Sequence, residues 1–286
     1  MSIVVTGATG ALGRLVIEQL LDAVPADQVV AVVRDKEKAA PLAALGVELR
    51  VADYDRPETL AGAFRSGDRV LLISGSEVGK RIAQHTAVID AAKAAGVAQL
   101  AYTGILGGPD ADFLLAEEHK ATEQLILDSG LPHTFLRNGW YTENYTANLG
   151  PVLEHGAVIG NAGDGRIASA TRADYAAAAV AVLTGEGHIG AAYELSGDTA
   201  WSLDEYAATV AEATGKEITY NRVPAAVHQE VLVGAGLPEP FAAILVDVDE
   251  AVARGRLAGT SGDLARLIGR PTTPLAETVA SAVAAA

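Results

Sequence analysis

The stretch IVVTGATGALGRLVIEQLL, residues 3–21, decides how this chain is read. A short β-branched run meets Gly7, Gly10 and Gly13, spaced G-x-x-G-x-x-G, and passes into apolar residues at helical intervals. Such a strand–turn–helix allows a tight turn, a close approach of backbone to a pyrophosphate and a close helix–strand contact, with the helix N-terminus facing the phosphates. Gly7, Thr9, Gly10, Ala11, Leu12 and Gly13 are therefore the candidate cradle for a dinucleotide's diphosphate.

The rest of the chain repeats this rhythm. Strand-like runs stand at SIVVT (2–6), QVVAVVR (28–34), VELRVA (47–52), RVLLIS (69–74), QLAYT (99–103), HTFLR (133–137) and AAYELS (191–196). Helical spacing fills LGRLVIEQLLDAV (12–24), PETLAGAFRSG (57–67), AQHTAVIDAAKAAG (83–96) and LAEEHKATEQLILDSG (115–130), and the last two end on a glycine suited to a C-cap. Alternating short apolar strands and helices predict an α/β fold, a Rossmann-type doubly wound parallel sheet covered by helices on both faces. After Arg137 a stretch rich in Gly, Asn and Tyr interrupts the pattern, and TRADYAAAAVAVLTG (171–185) restores it. The expected division is a dinucleotide-binding domain of residues 1–138, completed by about 167–197. A smaller, mainly helical C-terminal substrate lobe of residues 139–166 plus 198–286 then leaves a cleft between the two.

Composition excludes several functions. A formal net charge of -15 repels nucleic acid and anionic membrane surfaces, so neither is an expected partner. The chain has no cysteine, which excludes a disulfide framework and a thiol nucleophile and fits a reducing cytoplasm. The six histidines form no His-x-x-x-His pair, so no metal is expected. Half of the residues are hydrophobic, enough for a substantial core.

The end of the second strand reads the cofactor's ribose. Arg34 stands there, and a guanidinium suits a 2'-phosphate, which favours NADPH and leaves NADH as a weaker alternative. Asp35 behind it could still take a ribose hydroxyl. Asp53 and Tyr54, after the third strand, face the expected adenine position, and Asp53 serves equally as a helix cap. Ser74, Gly75 and Ser76 form a loop along the cofactor towards nicotinamide. Thr103 ends the fifth strand on the same side.

VTGATGALG, VAVVRD, LLISGSEVG, AYTGIL, LRNGWYTENY and GDGRIASATRADYAAAA, with the tail DLARLIGRPTTPLAETV, together resemble the NmrA-like atypical short-chain dehydrogenase/reductases, and among them the bacterial NAD(P)H:quinone oxidoreductases of type 2. The resemblance covers nearly the whole chain. It implies bound NADPH, no flavin, and two-electron reduction of a quinone to the hydroquinone. It also implies that His119, in AEEHKATEQ, occupies about the place where related reductases carry a catalytic lysine, which makes it a candidate proton donor. Similar folds often dimerise, and no heptad repeat decides whether a homodimer forms here.

None of the eight tyrosines is followed four residues later by lysine, so the Tyr-x-x-x-Lys pair of the wider superfamily is absent. Quinone reduction tolerates this, because the product gains aromaticity and a phenolate needs a weaker acid than an alkoxide does. The loop after the sixth strand supplies donors and flat walls: Asn138, Tyr141 and Asn144 as donors, Trp140 and Tyr145 as apolar surfaces. Tyr141 and Asn144 join His119 as the expected catalytic residues; Asn138, Trp140, Tyr141 and Tyr145 are the expected substrate wall. Two other readings share these features, an NADP-binding redox sensor without turnover and a reductase of another enone or carbonyl compound.

Overall fold

The computed structural model describes residues 1–147 and 149–285. In chain order its strands are β1 (Ile3–Val5), β2 (Val29–Val33), β3 (Glu48–Val51), β4 (Arg69–Leu72), β5 (Gln99–Ile105), β6 (His133–Asn138), β7 (Ala157–Gly160), β8 (Arg166–Ile167), β9 (Ala192–Leu195), β10 (Trp201–Ser202) and β11 (Thr219–Arg222). Its helices are α1 (Ala11–Ala23), α2 (Ala40–Ala44), α3 (Arg81–Ala95), α4 (Ala116–Ser129), α5 (Glu143–Thr146), α6 (Gly150–His155), α7 (Arg172–Thr184), α8 (Leu203–Thr214), α9 (Ala225–Gly234), α10 (Glu239–Ala253), α11 (Asp263–Ile268) and α12 (Leu275–Ala285).

Seven strands form one sheet in the order β3-β2-β1-β4-β5-β6-β9, and every pairing in it is parallel. The side-chain period of two splits the strands between two cores. Ile3, Val5, Ala31 and Leu71 pack with α1 and α7 on one face. Val4, Val30, Val70 and Leu72 pack with α3 and α4 on the other. Strand order reverses between β1 and β4, which opens a crevice at the carboxyl ends of these strands where open α/β sheets bind ligands. The expected C-caps are present: Gly96 ends α3 at φ 67° and Gly130 ends α4 at φ 72°, the left-handed conformation glycine adopts without a Cβ clash.

Two expectations need correction. PETLAGAFRSG is not a full helix but one 3-10 turn, Pro57–Leu60, because Gly62 and Gly67 adopt φ +87° and +81° and turn the chain out of it. Within 198–286, α11 does not belong with the smaller lobe. It packs on α7 and β9, and Leu264 is buried in the sheet's own core. Its helical spacing was readable; the core it joins was not.

A third core collects Trp201, Leu203, Tyr206, Tyr220 and Val252 around β7, β8, β10 and β11. β11 pairs in parallel with β7, and β10 pairs antiparallel to β8, which joins the interrupting segment to the last third of the chain. Within it Asp249, 8% exposed, accepts the Asn161 N–H at 2.9 Å and lies 3.4 Å from His228 Nδ1. Burial pushes the Asp249 carboxyl up from 3.8 to about 6. A raised carboxyl favours the fold below its unfolded value and loses that contribution as pH climbs through the folded value, so ionised Asp249 costs stability above about pH 6. Burial holds His228 low, which acts in the opposite sense and is common to parent and variant. Asp249→Asn is therefore expected to stabilise by about 1–2 kcal/mol at pH 8 and by much less at pH 4.5. Thermal melts at the two pH values measure this, and an equal change at both contradicts it.

Candidate functional site

The turn after β1 is built by glycine geometry. Gly7 takes φ +59°, and its carbonyl accepts the Gly10 N–H at 2.9 Å. Gly10 caps α1 without a side-chain acceptor, and no acidic residue occupies the first turn. Free N–H groups and the positive end of a 13-residue helix thus face outward, an arrangement that attracts an anion. A Cβ at Gly13 would lie 2.4 Å from the Gly7 carbonyl oxygen, so helix and turn meet more closely than any other residue permits.

A cavity of about 480 Å³ opens along this turn. Gly7, Thr9, Gly10, Ala11, Leu12 and Gly13 line one side, and Arg34, Asp53, Tyr54, Ser74, Gly75 and Ser76 continue it. Tyr141 and Arg172 line it as well. A cavity that brings together a helix N-terminus, the Arg34 guanidinium and the loop after β4 fits a dinucleotide. Tyr54 is pushed up to about 12 by burial and stays a neutral phenol. Asp53 accepts the Asp55 N–H at 3.1 Å and meets Arg56 at 3.4 Å, so its carboxylate also braces its own turn.

The loop after β4 is held from behind by buried side chains, of which the sequence singled out only Thr103. Ile73 N–H donates to Thr6 Oγ1 at 3.2 Å, Ser74 N–H to Thr103 Oγ1 at 2.9 Å and Gly75 N–H to His85 Nε2 at 2.9 Å. Arg81 Nε donates to the Gly75 carbonyl at 2.6 Å. Thr103 therefore acts through Ser74 and does not itself line the cavity. Because His85 Nε2 accepts, its Nδ1 carries the proton and donates to Thr122 Oγ1 at 2.8 Å, and that hydroxyl donates on to the Glu118 carbonyl. Burial, with Arg81 adding repulsion, holds His85 down to about 4, so this neutral tautomer persists at neutral pH. Thr6 directly follows β1 and His85 sits on α3; only their packing reveals the role.

His119 is a correction. It is 5% exposed, bonds through Nδ1 to the Tyr102 hydroxyl at 2.8 Å and lies outside the cavity lining. Burial holds it down to about 3, with Arg81 and His85 adding to the effect, so near neutral pH it is a neutral imidazole without the imidazolium proton that a general acid would give up. The chain's spacing placed it on a charged helix; the fold turns it inward.

The loop after β6 divides. Tyr141 stands edge-on to Tyr175 at 5.2 Å, with the Arg172 guanidinium 4.5 Å over its ring. Asn138 Nδ2 donates to the Tyr141 hydroxyl at 3.3 Å, which leaves that hydroxyl's own proton free to point outward, and burial keeps the phenol protonated. Arg172 Nη2 donates to Asn144 Oδ1 at 3.0 Å and so turns the Asn144 amide. Arg172 lines the cavity beside Tyr141, a role that its sequence position at the start of a helix did not reveal. Trp140 and Tyr145, by contrast, pack on the small lobe's core, with Tyr145 edge-on to Trp201 at 5.0 Å. They back the loop and do not line the cavity. Asn138, 5% exposed, likewise acts through Tyr141. Among the described residues no cluster of His, Asp or Glu could hold a metal ion, and no helix is long and apolar enough to cross a membrane.

Residues 7–186, which contain the turn, Arg34 and the braced loop, match the family described as NAD(P)H-binding. The chain belongs to that family. Within it, quinone oxidoreductase 2 of Escherichia coli is 50% identical over 277 residues, 97% of each chain. The crystal structure of that NADPH-dependent enzyme complexed with NADPH superposes with a TM-score of 0.95, covering 98% of this chain and 99% of the other. Citrobacter triphenylmethane reductase, complexed with NADP(H), is 44% identical with a TM-score of 0.94 over 98% of this chain and 100% of the other. NAD(P)H azoreductase of Xenophilus azovorans is 31% identical over 96% of each chain. This NAD(P)H-binding protein is thus an NmrA-like, atypical short-chain dehydrogenase/reductase, as its motifs implied.

Proposed function

We propose that this chain is a flavin-free NAD(P)H:quinone oxidoreductase of the cytoplasm that prefers NADPH over NADH. The observation that carries the reading is that one cavity is lined both by the glycine turn and by Tyr141 and Arg172. The half-identical quinone oxidoreductase 2 supports the substrate class.

When bound, reduced nicotinamide supplies the hydride. The chain's own residues bind, orient and donate. The N-terminus of α1 and Arg34 anchor the dinucleotide, and the braced Ile73–Gly75 loop keeps its path along β4 rigid. Residues 139–166 and 198–286, apart from α11, form the lobe that closes over the quinone and excludes water. Tyr141 Oη, oriented by Asn138, donates a hydrogen bond to the quinone oxygen on which negative charge develops, while Asn144, outside the cavity lining, accepts from Arg172 and holds that guanidinium beside Tyr141. One hydride and one proton complete the hydroquinone, with the proton drawn ultimately from solvent.

Tyr141→Phe removes the hydroxyl and keeps the ring. It is expected to lower kcat for a simple benzoquinone about tenfold while the KM for NADPH stays within twofold. Absence of NADPH oxidation by the parent across quinones, enones and aldehydes overturns the enzymatic reading. An unchanged kcat in Tyr141→Phe removes Tyr141 from the chemistry.

A further inference from the structure

Arg34 leaves β2 with its side chain 71% exposed, and Glu77 Oε1 stands 3.8 Å from its Nη1. Glu77 is positioned from behind. Lys80 Nζ donates to Oε2 at 2.8 Å, and Gln84 Nε2 reaches Oε1 at 3.4 Å while donating to Asp55 Oδ1 at 3.0 Å. Glu77 is thus held by an exposed ammonium on one oxygen and, on the other, by the amide of Gln84, which is 5% exposed. Arg34, Glu77, Gln84 and Asp53 all line the cavity, and the first three are in contact with one another through Glu77. The site expected to receive a phosphate dianion thus already holds a carboxylate against its guanidinium.

We propose that Glu77 is a specificity-determining residue, whose carboxylate competes with the 2'-phosphate of NADPH for Arg34 and so moderates the preference for NADPH over NADH. The inference rests on the reading of Arg34 as the residue that takes the 2'-phosphate. A phosphate bound to Arg34 must draw the guanidinium from Glu77 and then sit beside that carboxylate. The 2'-hydroxyl of NADH carries no charge, meets no such repulsion and can donate to a carboxylate oxygen. Both effects act in one direction. Their size is that of a partly solvated ion pair, a few-fold in affinity and not orders of magnitude.

Calorimetric titration of the whole chain with 2',5'-ADP and with 5'-AMP isolates the 2'-phosphate and needs no turnover. Glu77→Gln keeps an acceptor for Lys80 and Gln84 and removes the charge. It is expected to tighten 2',5'-ADP about three- to fivefold and to leave 5'-AMP within twofold, with NADPH and NADH following the same pattern. An unchanged or reduced ratio of 2',5'-ADP to 5'-AMP affinity in Glu77→Gln overturns the proposal. Arg34→Ala is the separate control: it is expected to weaken 2',5'-ADP selectively, and if it leaves the ratio untouched, the reading of Arg34 fails first and the competition fails with it.

Discussion

Gly13→Ala is expected to lower stability by about 3 kcal/mol and to weaken NADPH binding at least a hundredfold. The added Cβ would lie 2.4 Å from the Gly7 carbonyl oxygen and 2.8 Å from Ala8 Cα, and both are backbone atoms that no rotamer change can move aside. Relief requires α1 to back away from the turn, which also withdraws the N–H groups of its first turn from the phosphates. Alanine's better helix propensity, about 1 kcal/mol over glycine, does not offset this. Gly10→Ala is the control, because its Cβ meets the Gly7 oxygen at 3.2 Å, a contact that a few tenths of an ångström relieves. Its melting temperature is expected to stay near the parent's. Thermal unfolding and NADPH fluorescence titration of both variants check the pair; a Gly13→Ala protein with parental values in both would mean that the turn opens freely.

The second large effect is expected at Asp174, in the first turn of α7 and fully buried. Thr171 caps the helix by accepting the Asp174 N–H at 3.1 Å and donates its hydroxyl to Asp174 Oδ2 at 2.9 Å. The same carboxylate accepts Thr273 N–H at 2.9 Å and Thr273 Oγ1–H at 3.2 Å, and meets Arg270 Nη2 at 2.7 Å. One side chain therefore ties the segment leading into α12 to the sheet domain, as well as favouring the helix dipole. Asp174→Ala leaves the two Thr273 donors and the Thr171 hydroxyl without their acceptor, at a cost of about 3–4 kcal/mol in denaturant unfolding. Asp174→Asn retains part of the network and should lose less. Equal stability in Asp174→Ala and the parent would show that the tail is held elsewhere. An acidic residue in a helix's first turn reads locally as stabilising that N-terminus; the partners 96 to 99 residues away are visible only in the fold.

The legible part of this protein is the part governed by neighbours in sequence. Strand periodicity, the G-x-x-G-x-x-G spacing and Arg34 at the end of β2 each depend on a few consecutive residues, and all three stand where their local chemistry requires. Local spacing also produced errors where distant packing intervenes. His119 shares a charged helix with Glu117, Glu118 and Lys120, which suggested accessibility, yet its own face meets Tyr102 on β5. Trp140 and Tyr145 belong to an aromatic, donor-rich loop, but the small lobe claims their rings while Tyr141, between them, reaches the cavity.

By itself the amino-acid sequence determined the parallel α/β sheet, the glycine turn between β1 and α1 and the family, because periodicity, glycine conformation and motif spacing are short-range properties. Only the tertiary structure decided that His85, Arg81, Thr6 and Thr103 brace the cofactor loop, that Arg172 joins Tyr141, that α11 joins the sheet domain and that Glu77 confronts Arg34. Those relations arise where segments far apart in the chain are buried together, and burial and charge proximity, unlike periodicity, exist only once the chain has packed.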